Sequence, residues 1–377
     1  MQRLVCFGFN TTFQRQLLAA WTRGMDSRNV KLVPLSFRDG PGAEQYSNDA
    51  FITARKVPAG TTGQRLKRQF LRMQYNWIFR LLNKTKPLQV LIYNGFNGVN
   101  FLARAACEEL RLPTLYFERA PLQNRIQIDS QGVNYRSSIP RDIAFYERCD
   151  LAKLAALSSG EIEADYDPER RLATQRPTAK ATRERAIPSL AQPYVFCPLQ
   201  VPRDTQITFF GDWIKSIEHQ LDCIESAAAY LPNGWHVRIK EHPQSPIQFD
   251  KRVADYVNPR LVIDNQTDVY EQLEHAKCVL TINSSVGLEA FLYDKPVVTL
   301  GLALYSFGDL TARAASLNAL QELFANIESV GFSKEHRQVF LRFLYFWFPE
   351  TQAVLTEDYT SADLNDRNEL FNTLLSQ

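Results

Sequence analysis

The fold is decided by two stretches of sequence, Val237-Arg238-Ile239-Lys240-Glu241-His242-Pro243 and Val279-Leu280-Thr281-Ile282-Asn283-Ser284-Ser285-Val286-Gly287-Leu288-Glu289-Ala290. Each stretch is a short apolar run that stops at polar residues, which is typical of a buried parallel strand that ends at a ligand site. In the second stretch, Asn283, Ser284 and Ser285 supply an N-cap for a helix predicted over 286–293. Ligands of open α/β sheets bind at the carboxyl ends of the strands. We therefore predict that His242 and the serine pair meet at one edge of a parallel sheet and form an anion site.

The composition is that of a two-domain protein without a nucleic-acid or metal function. The chain has 377 residues, 45% of them hydrophobic, which is enough for two domains with their own cores. A formal net charge of +2 excludes a bulk nucleic-acid binder, so we predict no nucleic-acid partner. The cysteines show neither CxxC nor metal spacing, and we predict reduced, buried thiols, no metal and no cofactor. They are Cys6, Cys107, Cys149, Cys197, Cys223 and Cys278.

The location of the protein follows from what the hydropathy excludes. The N-terminal apolar run is too short for a signal peptide, and no later segment approaches the length of a transmembrane helix. Together with the reduced cysteines, this predicts a protein that is cytoplasmic and either soluble or peripheral on a membrane surface.

Short apolar strands alternate with helical patterns twice along the chain, which predicts two Rossmann-type βαβ domains facing a cleft. The boundaries are an N-terminal domain over 1–160, a linker over 161–192, a second Rossmann-like domain over 193–330 that carries the predicted anion site, and C-terminal helices over 331–377 that pack back. The predicted strands are 4–7, 30–35, 90–93, 114–117, 194–198, 236–240, 261–263, 279–282 and 297–300. The predicted helices include 13–23, 64–82, 99–110, 209–230 and 315–327. The one DxD match, Asp165-Tyr166-Asp167, lies in the linker, and we assign no metal to it.

One part of the chain is markedly basic. No Asp or Glu occurs between Phe51 and Cys107, whereas ten Lys and Arg do. Within this segment Leu66, Phe70, Met73, Trp77 and Leu81 recur at helical spacing. Two interpretations remain open. The stripe either lies on an anionic membrane surface, or it faces the protein core and the basic face is merely solvated.

The first group of candidate site residues binds the phosphate of a donor. Lys240, His242, Ser284 and Ser285 offer charge, an imidazole and hydroxyls at two converging strand ends, with Asn283 beside them. The alternative for His242 is a turn histidine locked by Pro243. A further candidate is Glu289, one turn into the helix. It either accepts hydrogen bonds from ribose hydroxyls or is a carboxylate that merely interacts favourably with the helix dipole.

The second group carries the chemistry. Gln200, Arg203 and Asp204 follow the predicted strand 194–198, which places a carboxylate suited to nucleophilic glycosyl transfer at the mouth of the cleft. We predict that Gln200 and Arg203 bind the donor and that Asp204 is catalytic. The alternative for Asp204 is an N-cap of the next helix. In the first domain, Glu118 ends an apolar strand and is our candidate for the base that deprotonates an acceptor hydroxyl.

These motifs, in this order, resemble the bacterial capsule polysaccharide biosynthesis proteins of the KpsS and KpsC type. The matching segments are Phe117-Glu118, Gly132-Val133-Asn134, Ser137-Ser138-Ile139-Pro140-Arg141, Leu199-Gln200-Val201-Pro202-Arg203-Asp204-Thr205-Gln206-Ile207, Ile239-Lys240-Glu241-His242-Pro243, Thr281-Ile282-Asn283-Ser284-Ser285 and Gly301-Leu302-Ala303-Leu304-Tyr305. The resemblance implies a GT-B-like fold and retaining transfer of β-Kdo from CMP-Kdo to a glycan or glycolipid acceptor.

The resemblance also assigns roles to individual residues. It implies a glycosyl-aspartate intermediate at Asp204, recognition of CMP by His242, Ser284 and Ser285, and a general base at Glu118. The chain departs from the family pattern directly after Glu118, where Arg119-Ala120 stands in place of an acidic residue and glycine. Two other classes remain: a nucleotide-sugar enzyme of the same fold, such as a 2-epimerase-like enzyme or a transferase with another donor, and a non-catalytic scaffold for capsule assembly.

Overall fold

The computed structural model describes residues 4–54, 56–149, 154, 187–202, 204–356 and 358–375, with side chains described up to residue 370. The chain divides into two compact units. Unit 1 comprises Met1–Ile139 and Phe346–Gln377, and unit 2 comprises Pro140–Tyr345. Most of the predicted linker, 161–192, lies outside the described residues. The DxD match at 165–167 lies wholly outside them.

Unit 1 is built on a five-stranded sheet. Its strands are β1 Leu4–Phe7, β2 Ser27–Val30, β3 Gln89–Tyr93, β4 Thr114–Arg119 and β5 Ile126–Asp129. Their order is β2-β1-β3-β4-β5, parallel except for the β4–β5 pair. The helices of its N-terminal part are α1 Thr12–Trp21, α2 Ala43–Ile52, α3 Thr61–Thr85 and α4 Gly98–Leu110.

The strand predicted over 30–35 is wrong, because the strand ends where that prediction begins. β1 pairs with β2 from Leu4↔Ser27 to Phe7↔Val30, so β1 offers no further partner beyond Val30. The apolar residues that suggested a longer strand are instead exposed, Leu32 by 86% and Leu35 by 41%. Pairing with the neighbouring strand therefore overrides local β propensity here.

Unit 2 contains a six-stranded sheet. Its strands are β6 Tyr194–Pro198, β7 His236–Lys240, β8 Leu261–Ile263, β9 Cys278–Thr281, β10 Val297–Thr299 and β11 Ala312–Arg313, all parallel, in the order β11-β10-β9-β6-β7-β8. Its helices are α5 Ile143–Glu147, α6 Thr205–Phe210, α7 Ile217–Ala228, α8 Asp250–Asp255, α9 Val269–His275, α10 Ser285–Glu289, α11 Leu317–Ala325 and α12 Lys334–Trp347. The last two residues of α12 belong to unit 1. The predicted α/β class with two mainly parallel sheets is confirmed.

The helix predicted over 209–230 is wrong, since the structure interrupts it. α6 ends at Phe210, and Asp212 adopts a left-handed φ of 57°. A new N-cap follows at Ser216, whose side chain accepts from the His219 amide. A Cβ at Gly211 would lie 2.3 Å from the Ile207 carbonyl oxygen, so this break needs a glycine.

The C-terminal helices α13 Thr351–Thr356 and α14 Ser361–Leu375 pack back onto unit 1, as predicted. Val354 and Leu364 belong to the same buried cluster as the residues of β1 and β4. Arg367, buried in α14, donates to the Ile128 carbonyl oxygen at 3.1 Å. Within the described part of the chain, no helix has the length and apolar character needed to cross a membrane.

Helix α3 carries two distinct apolar faces. Leu71, Tyr75, Ile78 and Leu82 are buried in the unit. At 3.6 residues per turn, the stripe that begins at Leu66 lies roughly a third of a turn away from that buried face. The interpretation that this stripe packs into the core is therefore wrong for its first two residues, Leu66 and Phe70, which are both exposed.

Candidate functional site

The polar segments predicted to form a site follow three adjacent strands of unit 2. β6 lies in the middle of the sheet with β7 on one side and β9 on the other. The chain runs outward from β6 through β7 to β8, and then crosses back to β9 on the opposite side of β6. Such a reversal of strand order opens a crevice at the carboxyl edge, which is where ligands of open α/β sheets bind.

Gln200 and Asn283 join the loops after β6 and β9. The Gln200 Nε2 amide donates to Asn283 Oδ1 at 2.9 Å. Asn283 Nδ2 in turn donates to the backbone carbonyl oxygens of Gln206 and Phe210 at 3.0 and 3.1 Å. Both side chains are buried. They therefore hold the two loops in register, a positioning role that the sequence prediction of donor binding did not include.

Asp204 is the N-cap of α6. Its Oδ1 oxygen accepts from the Gln206 amide at 2.9 Å, so the capping alternative is realised in the structure. The cap uses one carboxylate oxygen. The same residue lies close enough to His242 for its charge to act on that imidazole. Because α6 is also tied to Asn283, Asp204 stands beside the polar segments of both β7 and β9.

His242 is held as a neutral imidazole of defined tautomer. The Gln244 amide donates to His242 Nδ1 at 3.1 Å, which leaves the ring proton on Nε2. Burial lowers the pKa of His242 below its ordinary value, although the charge of Asp204 opposes this shift. The structure therefore shows a turn histidine, as in the alternative interpretation, whose Nε2 is nevertheless a hydrogen-bond donor at neutral pH.

Ser284 begins a helix much shorter than the one predicted over 286–293, since α10 ends at Glu289 and turns follow to Asp294. The Ser284 hydroxyl accepts from the Val286 amide at 3.3 Å, and the Ser284 amide donates to Thr281 Oγ1 at 3.1 Å. The neighbouring Ser285 is half-buried at the first position of the helix. The predicted N-cap is confirmed, but the helix has little length from which to build a dipole.

Tyr305 contacts this turn and was not among the predicted site residues. It is the last residue of one of the matching sequence segments. Its hydroxyl donates to the Ser284 carbonyl oxygen. A Cβ at Gly287 would lie 2.2 Å from that hydroxyl, so the glycine makes room for it. The ring of Tyr305 is buried, and burial raises the pKa of its phenol. It therefore remains a neutral donor that fixes the backbone carrying both serines.

Lys240 and Glu241 organise the neighbouring loop after β8. The Lys240 ammonium donates to the carbonyl oxygens of Asn265 and Thr267, at 3.2 and 2.7 Å. Burial lowers the pKa of Lys240, against the charges of Asp264 and Asp268. Glu241, which the site prediction omitted, accepts from Asn265 Nδ2 at 2.7 Å, while its amide donates to Asn265 Oδ1 at 2.9 Å.

The remaining predicted residues lie in different places. Glu289 is half-buried at the end of α10. Arg203 lies outside the described residues. Glu118 belongs to unit 1, at the end of β4, where it accepts from Asn94 Nδ2 at 2.6 Å and from the Arg119 amide at 2.9 Å. These hydrogen bonds hold the carboxylate in place at the end of the strand.

Comparisons with known proteins add a family match and a fold. Residues 166–323 match the family model described as capsule polysaccharide biosynthesis protein. Protein FixF of Sinorhizobium fredii is 31% identical over 277 residues, which cover 73% of this chain and 61% of FixF. The capsule polysaccharide export protein KpsS of Escherichia coli is 30% identical over 145 residues, or 35% of this chain and 37% of KpsS. The chain thus spans less than two thirds of the length of either relative.

A solved structure shows the same fold along almost the whole chain. The Thermosulfurimonas dismutans KpsC beta Kdo 2,7 transferase aligns with a TM-score of 0.52 and 14% identity, covering 94% of this chain and 98% of that one. At this identity the match concerns the fold alone. Together with the family match, it confirms the resemblance read from the ordered sequence motifs.

Proposed function

We propose that this chain, whose residues 166–323 match the capsule polysaccharide biosynthesis family model, is a retaining β-Kdo glycosyltransferase that uses CMP-Kdo. One observation carries the proposal. Asp204, neutral His242 and the Ser284–Ser285 turn lie together at the carboxyl edge of β6, β7 and β9, where the strand order reverses. A carboxylate beside neutral hydrogen-bond donors suits a reaction in which a phosphate leaves a sugar carbon.

In this proposal the donor phosphate is held by hydrogen bonds. His242 Nε2 and the hydroxyls of Ser284 and Ser285 donate to its oxygens, while Lys240 contributes positive charge from its place against the β8 loop. Glu289 accepts from the ribose hydroxyls. No metal or cofactor takes part. CMP is a good leaving group, so stabilisation of its phosphate matters more than protonation of the leaving oxygen.

The transfer then takes two displacements. A carboxylate oxygen of Asp204 attacks the anomeric carbon of the sugar, and the bond from that carbon to the phosphate oxygen breaks to release CMP. The acceptor hydroxyl attacks the same carbon, the bond to Asp204 breaks, and the hydroxyl proton passes to a base. Glu118 is the proposed base. Two inversions give net retention.

The acceptor is a glycan or glycolipid, and the reaction takes place at the inner face of the inner membrane. This assignment rests on the family match and on the basic, acid-free segment of unit 1. The test of the whole proposal is a reaction with CMP-Kdo, with and without an acceptor. We expect release of CMP beyond one equivalent per protein only when acceptor is present, and a β-linked product by NMR. Without acceptor, mass spectrometry should find one Kdo on the peptide that contains Asp204.

Three results would contradict this proposal. An α-linked product would show a single displacement, and conversion of a nucleotide sugar without any acceptor would favour a 2-epimerase-like enzyme. A protein that binds CMP-Kdo but never releases CMP would favour a scaffold.

His242→Ala is expected to raise the KM for CMP-Kdo about 10- to 100-fold with a smaller change in kcat. The reason is the loss of one hydrogen bond to a charged phosphate, which is worth about 1.5–3 kcal/mol. Steady-state kinetics with varied donor measure it. His275→Ala is the matched control, because His275 is exposed and its ring contacts, within the described part of the chain, the Glu271 carbonyl of its own helix. Equal KM values for the two variants would remove His242 from the donor site.

The same residue predicts a pH dependence of stability. The folded-state pKa of His242 lies below the ordinary value of 6.5, so the unfolded chain takes up a proton first as the pH falls. Protonation of this group therefore lowers the free energy of unfolding below about pH 6.5 and has no effect above it. Urea denaturation between pH 7.5 and about 5 should show a smaller acid-induced loss in His242→Ala than in the wild type.

A further inference from the structure

The stripe of α3 is an apolar surface that is exposed at the N-terminal end of the helix and half-buried further along it. Leu66 is 66% exposed and Phe70 39% exposed, and Met73, Trp77 and Leu81 continue the stripe as half-buried residues. The fully buried face of the helix is a separate one, around Tyr75 and Ile78. Apolar side chains left in water at helical spacing indicate a binding surface.

The loop that crosses α3 enlarges this surface. The Ser36 amide donates to the Met73 carbonyl oxygen at 3.0 Å, and Asn76 Nδ2 donates to the Ser36 carbonyl oxygen at 3.0 Å. The residues on either side of Ser36 are apolar and exposed to solvent: Leu35 is 41% exposed and Phe37 is 85% exposed. Helix and loop together therefore present aromatic and aliphatic side chains from two segments that hydrogen bonds hold in place.

The charged side chains of helix α3 itself are all basic. Helix α3 contains six Lys and Arg and no Asp or Glu: Arg65, Lys67, Arg68, Arg72, Arg80 and Lys84. Among the described residues, Arg72 is paired with Asp39, and no other cation of the helix has a carboxylate within ion-pair distance. Lys67 and Arg68 lie instead over the rings of Phe70 and Phe51. The surface is thus complementary to an anionic partner.

We propose that α3 and the loop 35–37 dock on an anionic lipid bilayer, with the exposed stripe in the headgroup region and the basic side chains on lipid phosphates. A helix with an aromatic and aliphatic face beside a dense basic face has the composition of helices that lie in the membrane interface. A second copy of this chain would bring the six cations of one helix against those of the other, which disfavours self-association through this face. The surface belongs to unit 1 and requires neither Asp204 nor the donor.

The test is binding of the full chain to lipid vesicles without CMP-Kdo, measured by co-sedimentation. We expect the protein to bind phosphatidylcholine vesicles that contain phosphatidylglycerol, to bind vesicles of phosphatidylcholine alone much more weakly, and to be released by salt. Arg65→Gln with Lys84→Gln should weaken binding about 25-fold, or about fivefold for each charge. Leu66→Gln with Phe70→Gln should weaken it at least about tenfold.

Matched controls come from unit 2. Ile247 and Val257 are apolar residues exposed by 43% and 93%, and Lys251 and Lys277 are exposed lysines. Their Gln variants should bind anionic vesicles as the wild type does. All replaced side chains are exposed, so circular dichroism melting curves should coincide for all variants.

The proposal is overturned if the wild type binds neither vesicle, if it binds both alike, or if the α3 variants bind as the controls do. It is also overturned if light scattering shows a dimer that Leu66→Gln with Phe70→Gln converts to a monomer, because the occupant would then be a second copy. Since no sugar donor is present, failure here is distinguishable from failure of the proposed transferase activity.

Discussion

Replacing Asp204 by Asn is expected to lower the rate of sugar transfer by at least about 10³-fold while changing the free energy of unfolding by less than about 0.5 kcal/mol. Asn caps a helix as well as Asp does, so the Gln206 amide keeps its acceptor and α6 keeps its start. An amide oxygen does not form the glycosyl ester that the proposed mechanism requires. Release of CMP and urea denaturation of the same preparation measure the two quantities.

Asp142→Asn is the matched control for this experiment. Asp142 is the exposed N-cap of α5 and accepts from the Ala144 amide at 3.1 Å. It therefore makes the same kind of cap as Asp204 but is not one of the candidate site residues. It should keep wild-type activity and stability. Transfer by Asp204→Asn at a rate near that of the wild type would show that Asp204 serves only as a cap. Mass spectrometry adds a second check, because the Kdo adduct formed without acceptor should be absent from Asp204→Asn.

Replacing Asn283 by Ala is expected to lower the free energy of unfolding by about 2–4 kcal/mol and to reduce transfer together with it. The change removes the donor to the carbonyl oxygens of Gln206 and Phe210 and leaves the buried Gln200 amide without its acceptor. The loops after β6 and β9 would then lose their common register. Urea denaturation followed by tryptophan fluorescence measures the stability change.

Two further variants separate the hydrogen bonds of Asn283 from its volume. Asn283→Asp keeps the size but replaces the donating amide by a carboxylate facing carbonyl oxygens, so it should be at least as destabilising as Asn283→Ala. Asn326→Ala is the control, because Asn326 is exposed and its side chain donates to the Glu322 carbonyl oxygen of its own helix. It should cost less than about 0.5 kcal/mol. If Asn283→Ala unfolds with the same urea midpoint as the wild type, the positioning role is refuted.

The strand ends of unit 2 were predictable because their signal is local. β6, β7 and β8 match the predicted strands residue for residue, β9 is shifted by one residue at each end, and β10 is one residue shorter at its C-terminal end. A short run of buried residues that gives way to polar residues or is bounded by a proline is a contrast read directly from neighbouring positions. The N-cap at Ser284 was predictable for the same reason.

Elements whose limits depend on distant partners were not predictable. β2 ends at Val30 because β1 offers no pairing partner beyond Phe7, although the sequence that follows has strand propensity. The break after α6 depends on Gly211, whose missing Cβ leaves space for the carbonyl oxygens of Ile207 and Ile214. The two apolar faces of α3 have the same periodicity, so the pattern alone does not tell which one is buried.

The sequence by itself determined the class of fold, the edge of the sheet that bears the site and the side chains that gather there. It did so because strand propensity, N-caps and polar residues at strand ends act over a few neighbouring residues. Only the tertiary structure decided what each of these side chains does. Gln200 and Asn283 lie 83 residues apart and satisfy each other, Lys240 is held by the β8 loop, and His242 keeps a donor free because the Gln244 amide occupies its other nitrogen. A buried polar group must find a partner, and the identity of that partner is set by how distant segments meet.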